Sequence, residues 1–184
     1  MAVGGGHEAH VGLEGRGPAH AFELAVLDHP QELGLQLEGQ LAVWASKDPD
    51  GANLDRIQIV KGWVDANGEP QDRVFDVVWS GNRKPDAKGK IPAVGNTVDV
   101  TRATYTNTIG SAELMSAWTD PEFDPAQHAI YYVRVLEIPT PRFTTYDAVR
   151  NNLPLLKDVP ATLQERAWSS PVWYSPSDFS AGSR

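Results

Sequence analysis

The clearest alternation of hydrophobic and polar residues lies between Asp55 and Gly81. In the first half of this stretch, the residues of one face are Ile57, Ile59, Lys61 and Trp63. In the second half, the alternating residues are Phe75, Val77 and Trp79. A period of two in β-branched and aromatic residues is typical of β-strands. Asn67-Gly68 supplies the positive φ angles of a tight turn, so the pattern predicts a β-hairpin whose tryptophans help to fill the core.

Further strands are indicated along the rest of the chain. Residues 129–138 (AIYYVRVLEI) carry apolar groups on both faces, which predicts an interior strand. Residues 167–174 predict an edge strand, because Pro171 is tolerated only at an edge or a bulge. Residues 21–27 fit either a short strand or a helical turn. Three more segments have strand composition, namely residues 41–46, 97–105 and 113–118.

Helical signals are few and lie near the C-terminus. Residues 145–152 predict a short helix, with Thr145 as its N-cap and Asp147 near the positive end of the helix dipole. Residues 162–166 predict a second helical turn. The sum is a mainly β fold, an antiparallel β-sandwich-like domain with one or two short helices. It occupies residues 41–174, between a poorly patterned segment at 1–40, expected to be disordered or to arise from a misplaced gene start, and a polar tail at 175–184.

The composition of the chain argues against nucleic-acid binding, against disulfide or thiolate chemistry and against a membrane partner. The chain has 184 residues, enough for one domain with a buried core. Its formal charge of −8, with no basic patch, argues against a nucleic-acid partner. The absence of cysteine excludes disulfides and thiolate chemistry. We find no signal peptide and no apolar run of membrane-spanning length, so no membrane partner is expected and both cytoplasm and periplasm remain open.

Two groups of residues invite a metal-site interpretation. His7 and His10 are three positions apart in a glycine-rich terminus, whereas metalloprotease ligands need a spacing of four on a helix, so a metal site is disfavoured there. A second group of four oxygen-bearing side chains falls in one short loop. Its members are Asp48, Asp50, Asn53 and Asp55, a composition that suits calcium. The same residues are also common in turns, and the spacing does not match an EF-hand.

A candidate substrate contact follows the most apolar strand. Residues 139–147 contain two prolines, and Arg142 is the one cation in this stretch. A rigid loop that carries an arginine suits a phosphate or carboxylate group, with Tyr146 beside it. The interpretation that we favour is that Arg142 pairs with Asp147 or a neighbouring carboxylate and only fixes the loop. The chain contains no Gly-x-Ser-x-Gly turn, and no catalytic residue is predicted.

Four stretches of the chain resemble one bacterial family, the domain of unknown function 3604. They are LAVWASKDPDGANLDRIQIVKGWVDANGE, VGNTVDVTRATYTNTIGSAEL, WTDPEFDPAQHAIYYVRVLEIPTPRFTTYDA and VPATLQERAWSSPVWY. They occur in the family's order and cover residues 41–174, which correspond to the C-terminal portion of family members. The N-terminal portion of those longer members is similar to the metal-dependent hydrolases of the polymerase and histidinol phosphatase superfamily.

That resemblance implies a divalent metal in the family's N-terminal portion and no cofactor in this chain. The N-terminal portion opens with a His-x-His pair, which this sequence lacks, so none of the family's ligands transfers to a residue here. The resemblance therefore implies a non-catalytic C-terminal β-domain, a fragment whose partner is the hydrolase-like domain. The alternative is a free-standing β-sandwich module that binds a sugar or a peptide, which the surplus of Trp and Tyr and the acidic loops would suit. Strand packing is nevertheless the interpretation we favour for these aromatic residues.

Overall fold

A computed structural model describes the backbone of Glu23–Leu27 and residues 39–176. Our predictions for the remaining residues, including His7, His10 and most of the segments 1–40 and 175–184, lie outside the described part. The described elements, in chain order, are β1 (Glu23–Leu27), β2 (Gln40–Ser46), β3 (Leu54–Val64), β4 (Pro70–Trp79), β5 (Glu113–Thr119), β6 (Ala129–Glu137), β7 (Thr140–Pro141), α1 (Phe143–Arg150), β8 (Thr162–Leu163), β9 (Arg166–Trp168) and β10 (Val172–Tyr174). Among them, no helix has the length and apolar character that crossing a membrane would require.

The strands form two main antiparallel sheets. A three-stranded sheet has the order β1-β2-β5, so the described part of the segment that fitted a strand or a helical turn, residues 23–27, forms a strand. A five-stranded sheet has the order β10-β6-β3-β4, with β9 also paired to β6, which makes β6 the predicted interior strand. β7 and β8 form a separate two-stranded sheet. The prediction of a mainly β, antiparallel fold is confirmed.

The core lies between the inner faces of the two main sheets. β6 alternates strictly, with its odd-numbered residues buried and its even-numbered residues half-buried. The buried cluster joins Val43 and Leu114 of the three-stranded sheet to Ile57, Ile59 and Val133 of the five-stranded sheet. The two sheets therefore pack as a sandwich and share one apolar interior.

The predicted hairpin is confirmed in β3 and β4. Gly68 has a φ of +84°, the left-handed conformation that its turn requires. The Oδ1 atom of Asp65 accepts hydrogen bonds from the backbone amides of Asn67 and Glu69 at 2.8 and 3.0 Å. These two bonds lower the pKa of the Asp65 carboxyl and fix the turn locally.

A β-bulge near the end of the hairpin changes the face on which Trp79 lies. Gln58 pairs with Asp76 while Ile57 pairs with Val78, so Val77 is the additional residue. Beyond this bulge Trp79 lies opposite Arg56, on the outer face, and its indole donates to the carbonyl of Arg83 at 2.8 Å. The prediction that Trp79 helps to fill the core is therefore wrong, whereas Trp63 does pack against the core.

We expect the two tryptophans to contribute unequally to stability. Trp63→Ala should lower the free energy of unfolding by about 3 kcal/mol, because it removes a large apolar side chain from the core edge. Trp79→Ala should cost about 1–2 kcal/mol, since it removes a half-buried ring and one hydrogen bond. Urea denaturation of both variants measures the difference. Equal costs would contradict the bulge-based assignment of faces.

Residues 97–105 do not form the predicted strand. Asp99 Oδ1 accepts from the amides of Thr101 and Arg102, and the segment turns back on itself through an isolated bridge between Asp99 and Thr104. Here a local bond from side chain to backbone outweighs the β-branched composition. The segment belongs to a long connection between β4 and β5.

The C-terminal predictions need three corrections. α1 begins at Phe143, two residues before the predicted start, and the extended Arg142 is its N-cap residue without a side-chain hydrogen bond. The predicted N-cap, Thr145, is buried inside the helix, and its hydroxyl donates to the carbonyl of Ala161. The helical turn predicted at 162–166 is wrong, since β8 and the start of β9 lie there. The edge strand predicted at 167–174 is interrupted at Pro171 into β9 and β10, both paired with β6.

Candidate functional site

The loop that carries the predicted calcium ligands is organised around a lysine. The Nζ atom of Lys47 donates to the backbone carbonyls of Asp48, Pro49 and Gly51 at 2.7, 2.8 and 3.2 Å. These three bonds use all three donors of the ammonium group. Asp48 Oδ1 also accepts from the amide of Asp50 at 2.8 Å, an Asx turn. An internal cation therefore already lies among the loop carbonyls.

Asn53 and Asp55, the two later residues of the predicted calcium group, form hydrogen bonds and ion pairs with residues outside this loop. Asn53 donates through its side-chain amide to the carbonyl of Ile109 at 2.8 Å. Asp55 is buried, and its two oxygens lie 2.6 Å from Arg83 and 3.1 Å from Arg56. Within the described residues, no group of three or more His, Asp or Glu side chains is placed to hold a metal ion. The calcium site stays a prediction.

The arginines around Asp55 tie together the strands and the long connection. Arg56 also reaches Asp76 Oδ2 at 3.0 Å and the carbonyl of Pro92 at 3.1 Å. Arg83 donates to the same carbonyl at 2.8 Å. These bonds place the β4–β5 connection over one end of the outer face of the five-stranded sheet. The network is a scaffold of charge-assisted hydrogen bonds.

Glu137, the last residue of β6, is a carboxyl group in a fully buried position. Its side chain is 0% exposed, and neither carboxylate oxygen has a hydrogen-bond partner there. Burial, aided by the nearby charge of Glu165, raises the pKa of Glu137 to about 8, against the smaller opposing effect of Lys47. A neutral carboxylic acid is the form that this buried position favours.

Lys61 is a buried charge that is paired with a carboxylate. Its Nζ atom lies 2.6 Å from Asp120 Oδ2 and donates to the carbonyl of Glu122 at 2.7 Å. The hydroxyl of Tyr131 donates to the same Asp120 oxygen at 2.7 Å. Burial and this hydrogen bond raise the pKa of Tyr131 well above its ordinary value. The cluster joins β3 and β6 to the loop after β5.

The predicted substrate contacts Arg142 and Tyr146 lie at the start of α1 and on its first turns. Arg142 Nε donates to the carbonyl of Pro160 at 2.9 Å. The Tyr146 ring lies 5.5 Å from the guanidinium of Arg150, and burial raises the pKa of its phenol. The structure thus gives Arg142 a carbonyl partner rather than the expected Asp147. Both residues stay predicted substrate contacts.

The outer face of the five-stranded sheet carries a site that the sequence analysis missed. Trp168 is 46% exposed and lies opposite Arg134 in the β6–β9 pairing, while Trp173 is 73% exposed and lies opposite Ile130. Both tryptophans therefore share the even-numbered face of β6. The signal was present in the sequence, because positions 130 and 134 have opposite parity to the core residues of that strand.

A ladder of polar side chains crosses this outer face beside Trp168. Arg134 Nε donates to Gln58 Oε1 at 2.8 Å, and Gln58 Nε2 donates to Asp76 Oδ1 at 2.7 Å. The ladder aims the guanidinium of Arg134, whose two terminal nitrogens have no partner among residues 39–176. Arg166 is exposed and lies opposite Leu136, so it flanks Trp168 on the same face. Two arginines and two indoles thus share one open surface.

Comparison with known proteins identifies the family. The model of the family "Protein of unknown function (DUF3604)" matches residues 30–176, well over half of the chain. This match confirms the resemblance carried by the four stretches between residues 41 and 174. No match to the chain was found among curated proteins or among solved structures. The chain belongs to the DUF3604 family, whose function is unknown.

Proposed function

We propose that the chain is a non-catalytic β-domain that accompanies a metal-dependent, hydrolase-like domain in DUF3604 proteins. The observation that carries the proposal is the structural use of its buried charges. Asp55 is engaged by Arg56 and Arg83, and Asp120 is engaged by Lys61 and Tyr131. Charged groups paired in this way stiffen a scaffold rather than meet a substrate. In this proposal, the divalent metal and its ligands belong to the hydrolase-like domain.

An apolar surface around α1 supports contact with such a partner domain. Exposed large apolar side chains occur on the helix and in the segment directly after it, namely Phe143, Val149, Leu153, Leu155, Leu156 and Val159. A concentration of exposed apolar residues marks an interaction surface more often than a free surface. Contacts between domains of one protein commonly bury surfaces of this kind.

The chain alone should show no hydrolase activity. We expect no turnover of p-nitrophenyl phosphate above the buffer rate with Mn²⁺, Mg²⁺ or Zn²⁺, because the proposal assigns the metal ligands to another domain. Colorimetric assays before and after a second purification provide the measurement. Turnover that persists at constant specific activity through repurification would contradict the proposal.

Co-expression with the N-terminal portion of a longer family member tests the partner surface directly. We expect the two polypeptides to co-purify, and the Leu153→Ser, Leu156→Ser double variant to weaken that association. Met115→Ser is a matched control, since Met115 is more exposed than either leucine but lies in the other main sheet. A partner that never co-purifies, or one retained equally by all three proteins, would contradict the proposed surface.

A second candidate function is a module that binds a sugar or a peptide. The exposure of Trp168 and Trp173 on one sheet face favours it, because such rings bring large contact areas to a ligand. Genomic sequence directly upstream of the Met1 codon separates the two candidates. A His-x-His region there, in frame or shifted, favours the accessory domain, and an ordinary promoter favours the module.

A further inference from the structure

We propose that the outer face of the five-stranded sheet binds an acidic polysaccharide, with sugar rings stacked on Trp168 and Trp173 and a sugar carboxylate held by Arg134 and Arg166. This inference deepens the binding-module candidate and rests on it. It is independent of the proposed hydrolase partnership, which concerns the surface around α1.

The two indoles are arranged along one strand direction. Their partners in β6, Ile130 and Arg134, are four residues apart, which corresponds to about 13 Å along the strand. An extended chain of rings fits this spacing better than a single small ring does. The C–H face of a sugar ring is apolar and carries positive charge density, so it suits the negative face of an indole.

Charge distinguishes an acidic ligand from a neutral one. Although the chain has a formal charge of −8, Trp168 is flanked on this face by two arginines. The nearest acidic side chain of the ladder, Asp76, is already engaged by Gln58 and Arg56. The carboxylate of Asp76 thus has partners other than the open donors of Arg134. A guanidinium binds a carboxylate through two parallel hydrogen bonds, which an ammonium cannot reproduce.

The geometry is preorganised on the protein side. The Arg134 side chain is held through Nε by Gln58, which is itself held by Asp76, so little freedom is lost when a ligand binds. One end of the face is covered by the β4–β5 connection through Arg56 and Pro92. The end with the two tryptophans is open. A long polymer can therefore lie across this open end without entering a closed pocket.

Affinity electrophoresis and titration calorimetry on the full chain test the proposal. The acidic probes are polygalacturonate and alginate, the neutral probes are dextran and xylan, and poly-glutamate tests for an acidic peptide. We expect retardation by the acidic polysaccharides only. Trp168→Ala should weaken binding about tenfold. Arg166→Gln should weaken binding severalfold and reduce its dependence on salt.

Controls keep the outcome interpretable. Met115→Ala, an exposed apolar residue on the other sheet, should bind like the parent. Arg134→Lys should weaken binding severalfold because it loses the planar fork, and Arg102→Lys is its matched control and should bind like the parent. Melting temperatures show whether each variant is folded. Absence of binding to both acidic polysaccharides overturns the proposal, as does equal binding of poly-glutamate. Equal binding of neutral polymers also overturns it, but leaves a sugar-binding module in place.

Discussion

The stability of the protein should fall by several kcal/mol as the pH rises from about 5 to about 9, and Glu137→Gln should remove most of that loss. The carboxyl of Glu137 is fully buried without a hydrogen-bond partner in the described part of the chain. Ionisation at this position would place a charge without a hydrogen-bond partner in a fully buried site. The neutral amide of glutamine has nearly the same shape and does not ionise.

The direction of this pH dependence follows from the difference between the pKa of Glu137 in the folded protein and its pKa in the unfolded chain. The ordinary glutamate pKa is 4.5, and burial raises the pKa of Glu137 to about 8 in the folded protein. Below the lower value both states hold the proton, and the folded state incurs no penalty. Between the two values only the unfolded state ionises, so stability falls by about 1.4 kcal/mol per pH unit. Above the upper value the loss levels off at about 5 kcal/mol.

Urea denaturation at a series of pH values provides the measurement. The stabilities of Glu137→Gln and the parent should be similar near pH 5 and diverge increasingly towards pH 9. Glu69→Gln, at an exposed position of the hairpin turn, is the control and should follow the parent throughout. Glu165→Gln should leave the onset of the loss unchanged and make it level off at a lower pH, because removing the neighbouring charge lowers the pKa of Glu137 in the folded protein. Parallel curves for parent and Glu137→Gln would refute the prediction.

The fold was predictable where local pattern and turn chemistry agreed. β6 and the β3–β4 hairpin were found because their apolar residues alternate over nine or more positions and their ends carry turn residues. Residues 97–105 show the limit of that reasoning. Their composition is typical of a strand, but Asp99 forms a local turn and no partner strand is available in the described sheets.

The positions of individual side chains were less predictable than the strands that carry them. Trp79 was assigned to the core by parity, yet the additional residue at Val77 reverses the parity beyond it. A bulge of one residue leaves no clear sign in the sequence, because it depends on how the neighbouring strand pairs. Thr145 similarly is a residue type that favours an N-cap, but its hydroxyl donates to the carbonyl of Ala161, directly before β8.

Parts of the candidate sites could be predicted by the same parity argument. Glu137 shares the parity of Tyr131, Val133 and Val135, so an inward carboxyl could have been inferred. The contact between Lys61 and Asp120, in contrast, joins residues 59 positions apart in the sequence, and no local pattern predicts it. The exposure of Trp168 depends likewise on β9 lying at the sheet edge, which only the tertiary pairing decides.

The pair formed by Lys61 and Asp120 should give the largest single-substitution effect in the described core. Lys61 is 2% exposed, and Lys61→Met should lower the free energy of unfolding by about 3–5 kcal/mol. The methionine fills the space of the aliphatic stem but leaves the buried Asp120 carboxylate with Tyr131 as its remaining side-chain donor. Lys88→Met, at an exposed position, is the control and should change stability by less than about 0.5 kcal/mol.

A double-mutant cycle separates the charge effect from a packing effect. Asp120→Asn retains the side-chain oxygen that accepts from the amide of Glu122 and removes the negative charge. If the loss in Lys61→Met comes from the unpaired carboxylate, the Lys61→Met, Asp120→Asn double variant should be more stable than Lys61→Met alone. The coupling free energy from urea denaturation should then be about 2–3 kcal/mol. If the changes in unfolding free energy of the two substitutions simply add, the coupling free energy is zero. Lys61 would then stabilise the fold through packing of its aliphatic stem and not through the ion pair.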